Sequence, residues 1–160
     1  MSEMVSEAQD AHSESPFTGD WIYRSFLNVD TLPLEGLDGF LFGEGKLALR
    51  VDAQGRFVDS GFDFGPGYPM RVEGRVEGKG TSPTQGHPAT ARFTAHGVEG
   101  TRTAGWIYQY VGYYAPTWPQ GVDQVPSILG SVIRVVPHGS APAGVVASFV
   151  AVRTGGGPGT

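Results

Sequence analysis

The sequence predicts an all-β protein, a single antiparallel up-and-down β-barrel of about eight strands. The chain carries 25 glycines and 12 prolines in 160 residues, and helix interiors tolerate both residue types poorly. Short apolar runs alternate with polar residues and are separated by turn-forming segments, as in antiparallel strands. No window shows the i, i+3, i+4, i+7 apolar spacing of an amphipathic helix. Because an open meander would leave unpaired edges, we expect the sheet to close on itself.

The composition limits the classes of protein and partner. Hydrophobic residues make up 39% and charged residues 17% of the chain, enough for the core of one domain. The net charge is −5 and the 11 Lys and Arg residues are scattered, which argues against nucleic acid or an anionic membrane surface as a partner. No apolar run approaches the roughly 18 residues of a membrane span. The absence of cysteine excludes disulfides and thiolate metal sites.

Three regions differ in composition. Residues 1–16 are rich in Ser, Glu and Ala and predict a disordered acidic N-terminal tail. Residues 17–153 contain the strand candidates and predict the β-barrel domain, and the glycine-rich residues 154–160 predict a flexible C-terminal tail. The N-terminus has neither the basic nor the apolar region of a signal peptide, so we expect a cytoplasmic protein.

The first four strand candidates follow from alternation and turns. Residues 21–27 are the first strand candidate, and the apolar connection 28–44 is expected to fold back as a lid or plug. Residues 46–52 place Leu47, Leu49 and Val51 on one face. A turn at Ala53-Gln54-Gly55 leads into residues 56–64, and residues 70–77 alternate apolar and charged side chains.

Four more candidates complete the barrel. Residues 89–96 follow a polar loop, and residues 101–114 are the longest candidate. Residues 127–136 and 145–153 follow proline-containing connections. A closed barrel of eight strands leaves an interior that side chains fill or that holds one small ligand.

The segment Gly19-Asp20-Trp21 at the start of the first strand resembles the calycin superfamily, which includes lipocalins, fatty-acid-binding proteins, avidins and nitrobindins. In that superfamily a Gly-x-Trp sequence opens the first barrel strand. The resemblance implies that Trp21 closes the barrel floor and packs against Arg153 near the end of the last strand, with Arg134 as a second candidate. The chain lacks the lipocalin Thr-Asp-Tyr motif, so the resemblance reaches the barrel and no single family. The nearest alternative architecture is the allene-oxide-cyclase-like barrel.

The aromatic stretch at residues 106–118 is the most distinctive part of the sequence. Trp106, Tyr108 and Tyr110 alternate and therefore share one face of a strand. If that face points inward, it lines a cavity suited to a flat organic ligand, together with Tyr23 of the first strand. The alternative is that these rings simply fill the barrel.

Two further features are candidates for ligand contact. Trp118 lies in a proline-rich loop, where it would gate an entrance or form a dimer contact. Arg134 lies among apolar neighbours, so an inward Arg134 needs a carboxylate partner such as Asp20, Asp59, Asp63 or Asp123 and would anchor a ligand carbonyl or carboxylate. The alternative places Arg134 and Arg24 towards solvent.

Metal and cofactor chemistry have little support. The four histidines, His12, His87, His96 and His138, form no metal-binding spacing. A haem held by His138 would match the nitrobindin resemblance but has no supporting spacing. No nucleophile elbow, phosphate loop or dinucleotide-binding motif occurs, so the sequence predicts no metal and no cofactor.

These observations favour binding of a small hydrophobic or aromatic molecule in the barrel interior. The first alternative is a cofactor-independent cyclase or isomerase acting in the same cavity. The second is a filled barrel that serves as an oligomerisation or interaction module. An exposed Trp118 and an apolar segment at residues 32–42 would be consistent with a homodimer.

Overall fold

The computed structural model describes residues 14–31, 36–78 and 89–154, which form a closed eight-stranded antiparallel barrel. The predicted all-β up-and-down barrel is confirmed. Each strand pairs with the next along the chain, and the last pairs with the first. The strands are β1 Gly19–Leu27, β2 Leu41–Leu49, β3 Ser60–Asp63, β4 Pro69–Glu77, β5 Thr90–Gly97, β6 Ile107–Ala115, β7 Ser127–Arg134 and β8 Val146–Arg153.

Alternation along each strand separates the core from the surface. In β4, Met70 and Val72 are buried while Arg71 and Glu73 are exposed. Successive side chains of a strand point to opposite faces, so the inward set of every strand meets in one interior. That interior is the single core cluster of the described residues. Because the charged side chains point outward, none of the buried residues in the described part of the chain is charged.

The seam between β1 and β8 closes the barrel. Trp21 is the register partner of Arg153, and pairing continues to Leu27 and Ala147. Because the strands alternate in direction, β1, β3, β5 and β7 end where β2, β4, β6 and β8 begin. We call that end of the barrel the open end and the opposite end, where β1 begins, the closed end.

The closed end is covered by the segment before β1. Phe17 is fully buried, and its carbonyl accepts a hydrogen bond from the Trp21 indole N–H at 3.1 Å. The guanidinium of Arg153 lies over the Trp21 ring and donates to the carbonyls of Pro16 and Thr18. Gly19 has a φ of 154°, and a Cβ there would lie 3.5 Å from Arg153 Nε. A separation of 3.5 Å is ordinary van der Waals contact, so it is the backbone conformation at Gly19, which other residues rarely adopt, that favours the glycine of the Gly-x-Trp sequence.

The connection between β1 and β2 differs from the prediction. A 3-10 helix spans Leu37–Phe40, and Leu41 and Phe42 belong to β2, so these two residues are part of the barrel wall rather than a lid. The ring of Phe40 packs against Phe26, with 5.5 Å between centroids. Residues 32–35 of the expected lid or plug lie outside the described residues.

Two predicted strands are too long. The third begins at Ser60 rather than residue 56, because the preceding residues form only isolated bridges, Val51 with Phe57 and Arg56 with Arg75 of β4. The sixth begins at Ile107 rather than residue 101, because residues 101–105 form turns in which Thr103 is fully buried and donates to the Pro69 carbonyl.

The predicted tails fall largely outside the described residues, which begin at residue 14 and end at residue 154. Within the described part of the chain, no helix has the length and apolar character needed to cross a membrane.

Candidate functional site

A cavity of about 270 Å³ opens at the open end of the barrel. Seven of the ten lining residues are aromatic, and the polar groups are the side chains of Ser25 and Glu44 and the hydroxyls of four tyrosines. The lining residues come from β1, β2, β6, the loop between β3 and β4 and the residue before β6: Tyr23, Ser25, Phe42, Gly43, Glu44, Phe64, Tyr68, Trp106, Tyr108 and Tyr110. Pockets for drug-sized ligands occupy roughly 300–1,000 Å³. This cavity therefore suits a small molecule of one or two rings.

Packed rings form the floor of the cavity. Tyr110 stacks on Phe93 with centroids 4.8 Å apart and on Phe62 at 5.1 Å. Tyr23 meets Phe62 edge to face at 5.0 Å and approaches Phe149 at 5.6 Å. Offset-stacked and edge-to-face contacts at these separations stabilise aromatic clusters. The barrel is thus filled below the cavity, and the space for a ligand is confined to its upper part.

Two buried phenols meet at the boundary between floor and cavity. The Tyr23 hydroxyl lies 3.5 Å from that of Tyr110. Burial raises the pKa of Tyr23 to about 12, partly offset by hydrogen bonding to Ser25 and Tyr110. Burial likewise raises the pKa of Tyr110 well above its ordinary value. Both side chains are neutral phenols at physiological pH, so the floor of the cavity carries no charge.

A β-bulge shapes one wall of the cavity. Ser25 pairs with Gly43 and Phe26 pairs with Leu41, which leaves Phe42 without a register partner in β1. A bulge of this kind redirects the extra side chain. As a result Phe42 and Gly43, although adjacent in sequence, both line the cavity.

A polar group lies on the opposite wall at the rim, formed by Tyr108, Arg134 and His138, which we call the rim cluster. His138 Nε2 lies 2.6 Å from the Tyr108 hydroxyl oxygen. Arg134 Nε donates to the same oxygen at 3.2 Å, and Arg134 Nη1 donates to the Pro142 carbonyl at 3.1 Å. The guanidinium carbon lies 4.9 Å from the Phe42 ring centroid. The hydroxyl of a cavity-lining tyrosine is thereby held between a cation and an imidazole.

His138 is held by its own hairpin turn and by Trp106. Its backbone forms two hydrogen bonds with Ala141, and its ring stacks on the Trp106 indole with 4.0 Å between centroids. Burial lowers the pKa of His138, and the nearby Arg134 cation lowers it further. The neutral imidazole is therefore favoured, and it can either accept or donate the hydrogen bond with Tyr108.

The structure brings four of the predicted ligand residues together. Tyr23, Trp106, Tyr108 and Tyr110 all line the cavity. Arg134, at the end of β7, is half-buried on the rim beside Tyr108, its register partner. None of the four aspartates expected to neutralise Arg134 does so, because its guanidinium bonds instead to Tyr108 and Pro142 and lies over the Phe42 ring.

Trp118 is not part of this cavity. It lies in the loop after β6, and β6 begins at the open end, so the loop lies at the closed end. Tyr114, near the end of β6, accordingly contacts Phe17, with 6.0 Å between ring centroids. The side chain of Trp118 is 74% exposed. The gating role predicted for Trp118 therefore does not apply to the cavity at the open end.

Several cavity residues were not predicted from the sequence. Phe42 lies in β2, which begins earlier in the chain than predicted, and the bulge at Phe42 has no signal in the alternation pattern. Phe64 and Tyr68 lie in the loop between β3 and β4. The sequence suggests only haem ligation for His138, whereas the structure places its ring against Tyr108 and Trp106. Within the described residues, no group of three His, Asp or Glu side chains could hold a metal ion.

Comparison with known proteins gives no assignment. No family model matches the sequence, and no curated protein or solved structure is significantly similar to it. The structure therefore shows the closed eight-stranded barrel, and no family match assigns that barrel to the calycins.

Proposed function

We propose that this barrel binds a small aromatic molecule in the cavity at its open end. The observation that carries the proposal is the aromatic wall of a cavity of about 270 Å³. Ligand sites are concave, mostly apolar, and contain a few convergent polar groups. The cavity has this composition, with rings on its wall and the rim cluster at its edge.

The rim cluster supports a ligand that carries an oxygen acceptor beside its rings. Arg134 donates to Tyr108 and Pro142 through Nε and Nη1, and its guanidinium has five N–H donors in total. The remaining donors can serve a carbonyl or carboxylate oxygen at the rim. Glu44, on the cavity wall, is already paired with Arg24 at 3.3 Å, which reduces its repulsion of such an oxygen.

A calycin-like relationship belongs to the same proposal. It is supported by the Gly19-Asp20-Trp21 sequence at the start of β1 and by the contact of Trp21 with Arg153. Under this proposal the closed end is a structural floor and the open end is where the ligand enters.

Equilibrium dialysis with two matched probes tests the binding function. We expect 2-acetylnaphthalene to bind more tightly than 2-ethylnaphthalene, which has the same ring system but no oxygen acceptor. Ser25 is fully buried and lines the cavity, so the larger side chain of Ser25→Leu should fill the space and abolish binding of both probes. Thr94→Leu, on the outer face of β5, is the matched control. If neither probe binds the wild-type protein, the proposal is contradicted.

The contribution of the rim cluster is separable from the cavity. We expect Arg134→Met to lower the affinity for 2-acetylnaphthalene roughly 10- to 150-fold, which corresponds to the roughly 1.5–3 kcal/mol of one charged hydrogen bond. It should leave the affinity for 2-ethylnaphthalene nearly unchanged. Equal losses for both probes would mean that Arg134 supports the fold of the rim and does not recognise the oxygen.

A second candidate function, a cofactor-independent isomerase, is favoured by the 2.6 Å contact between Tyr108 and His138 at the cavity wall. A positioned acid–base pair of this kind can move a proton to or from carbon next to a carbonyl group. Its test is exchange of the acetyl protons of 2-acetylnaphthalene in D₂O, followed by NMR. Catalysed exchange that is lost in Tyr108→Phe would support the isomerase, and binding without exchange would leave the binding function alone.

A further inference from the structure

Most arginines of this protein are neutralised by an acidic side chain. Six of them have a carboxylate within ion-pair distance on the outer surface: Arg24, Arg50, Arg56, Arg71, Arg75 and Arg92. In the described part of the chain, no carboxylate lies at this distance from Arg102, Arg134 or Arg153. Arg153 covers Trp21 at the closed end. The other two arginines both lie at the open end, where the cavity is.

Arg102 lies in the loop between β5 and β6 and faces a residue of the cavity wall. Its Nη1 donates to the hydroxyl of Tyr68 at 3.3 Å, and its guanidinium carbon lies 5.5 Å from the centroid of that ring. Its backbone N–H donates to the Gly67 carbonyl at 3.1 Å. The next residue, Thr103, is fully buried and donates to the Pro69 carbonyl. The backbone of Arg102 is therefore anchored, although its side chain is exposed.

Arg134 is the corresponding cation in the rim cluster. It donates to the Tyr108 hydroxyl and to the Pro142 carbonyl, and both acceptors are neutral, so neither compensates the charge of the guanidinium. Trp106 connects the two sides, since its ring centroid lies 5.9 Å from that of Tyr68 and 6.3 Å from that of Tyr108. The two guanidiniums therefore flank one continuous aromatic part of the cavity wall.

Little negative charge offsets these two cations. Glu44 is the one carboxylate among the described residues that line the cavity, and it pairs with Arg24 at 3.3 Å. Asp63 and Glu99 are exposed in or beside the adjoining loops, and neither lies within ion-pair distance of the two guanidiniums. The chain as a whole carries a net charge of −5 and repels anions. The mouth of the cavity is therefore a local site of positive charge on an acidic protein.

We propose that the ligand of the cavity is an aromatic carboxylate, with its rings against the aromatic wall and its charged group at the mouth beside Arg102 and Arg134. The inference rests on the proposed function and narrows the oxygen acceptor to an anion. A carboxylate presents two acceptor oxygens and forms charge-assisted bonds with guanidinium groups. The hydrogen bonds of Arg134 to described residues use Nε and Nη1, which leaves Nη2 for the ligand. A neutral carbonyl would accept one such bond but would leave both charges uncompensated.

Isothermal titration calorimetry at neutral pH with 2-naphthoate and 2-naphthamide tests the charge of the ligand. The two probes share a ring system and a carbonyl group and differ in charge. We expect 2-naphthoate to bind about tenfold more tightly at low ionic strength, because charge-assisted hydrogen bonds are stronger than neutral ones. Added salt should reduce this difference, since it screens exposed charges.

Substitution of Arg102 locates the charge that attracts the anion. Arg102→Met should lower the affinity for 2-naphthoate about fivefold, the upper range for an exposed ion pair, and leave that for 2-naphthamide nearly unchanged. Arg102→Lys keeps the charge and should retain most of the affinity for 2-naphthoate. Arg75→Met is the matched control, because it changes the net charge equally but removes a side chain that is 72% exposed on the outer face of β4. Retained binding of 2-naphthamide shows that each variant is folded.

The outcomes separate this inference from the proposed function. Equal affinities for 2-naphthoate and 2-naphthamide, with 2-acetylnaphthalene still bound, would overturn the carboxylate and leave the proposed function in place. Failure of all three probes to bind would overturn both. An equal loss of 2-naphthoate affinity in Arg102→Met and Arg75→Met would mean that net charge governs the binding, and the assignment to Arg102 would be wrong.

Discussion

The guanidinium carbon of Arg153 lies 4.7 Å from the centroid of the Trp21 ring, and the two residues are register partners across the seam that closes the barrel. The same guanidinium donates to the carbonyls of Pro16 and Thr18. One side chain therefore joins the first strand, the last strand and the segment that covers the closed end.

Arg153→Met should destabilise the protein by about 2–4 kcal/mol, because it removes a cation–π contact and the donors to two backbone carbonyls. Arg153→Lys keeps the charge and should recover part of this loss. The measurement is the free energy of unfolding in urea by circular dichroism. Arg75→Met serves as the control, since Arg75 is 72% exposed and forms only a surface ion pair with Glu77. Similar losses for Arg153 and Arg75 would contradict the role assigned to Arg153.

The buried phenols predict loss of stability in alkaline solution. Burial raises the pKa of Tyr23 from 10.0 to about 12, so the folded state retains its proton where the unfolded state has lost it. The free energy of unfolding is then unaffected below pH 10 and falls as the pH rises from 10 towards about 12. Tyr110, whose pKa is raised by the same cause, adds a loss of the same sign.

The contribution of Tyr23 can be isolated by substitution. Tyr23→Phe keeps the ring and should reduce the alkaline loss by up to about 3 kcal/mol, since one pKa unit corresponds to about 1.4 kcal/mol. Urea unfolding at several pH values gives the measurement, with Tyr113→Phe as the control because Tyr113 is exposed on the outer face. Unchanged alkaline sensitivity in Tyr23→Phe would show that other groups cause it.

His138 should titrate below the usual range for histidine. Burial and the Arg134 cation both lower its pKa, so stability from this residue is present above about pH 6.5 and is lost as the pH falls through its folded-state pKa. Arg134→Met should raise the pKa of His138 but leave it below the ordinary value, because burial is the larger cause. NMR titration of the imidazole carbon-bound protons measures this. His96, on the outer face beside Glu73, provides a comparison in the same spectra.

The sequence predicted the barrel more fully than it predicted the cavity. Alternation identifies inward residues such as Tyr108 and Tyr110 because each strand has two distinct faces. It does not reveal the bulge that brings Phe42 to the cavity, because a bulge interrupts that alternation. Nor does it show that His138, in a connection after β7, reaches Tyr108, since 30 residues separate the pair in sequence. Whether Trp118 lies at the open or the closed end depends on the direction of β6. The alternation pattern of a single strand does not give that direction.

Substitution of two phenylalanines distinguishes the filled part of the barrel interior from the cavity. Phe93 is buried beneath Tyr110, whereas Phe64 is only half-buried, lines the cavity and stacks on Phe62 at 4.9 Å. Phe93→Ala should therefore lower the free energy of unfolding by about 3–5 kcal/mol, the usual cost of removing a buried phenylalanine. Phe64→Ala should cost less, because part of its ring is already in contact with solvent.

In ligand binding the order of the two variants is reversed, and we expect the larger effect from Phe64→Ala. Phe64→Ala widens the cavity itself and should improve binding of 2-acetylanthracene relative to 2-acetylnaphthalene in equilibrium dialysis. Phe93→Ala leaves the Tyr110 ring between the new void and the cavity, so the preference between the two probes should change little. If Phe93→Ala also admits the larger probe, then Tyr110 moves aside and the floor is not rigid. The ligand would then have access to the barrel interior below the cavity, and the size limit of one or two rings would no longer hold.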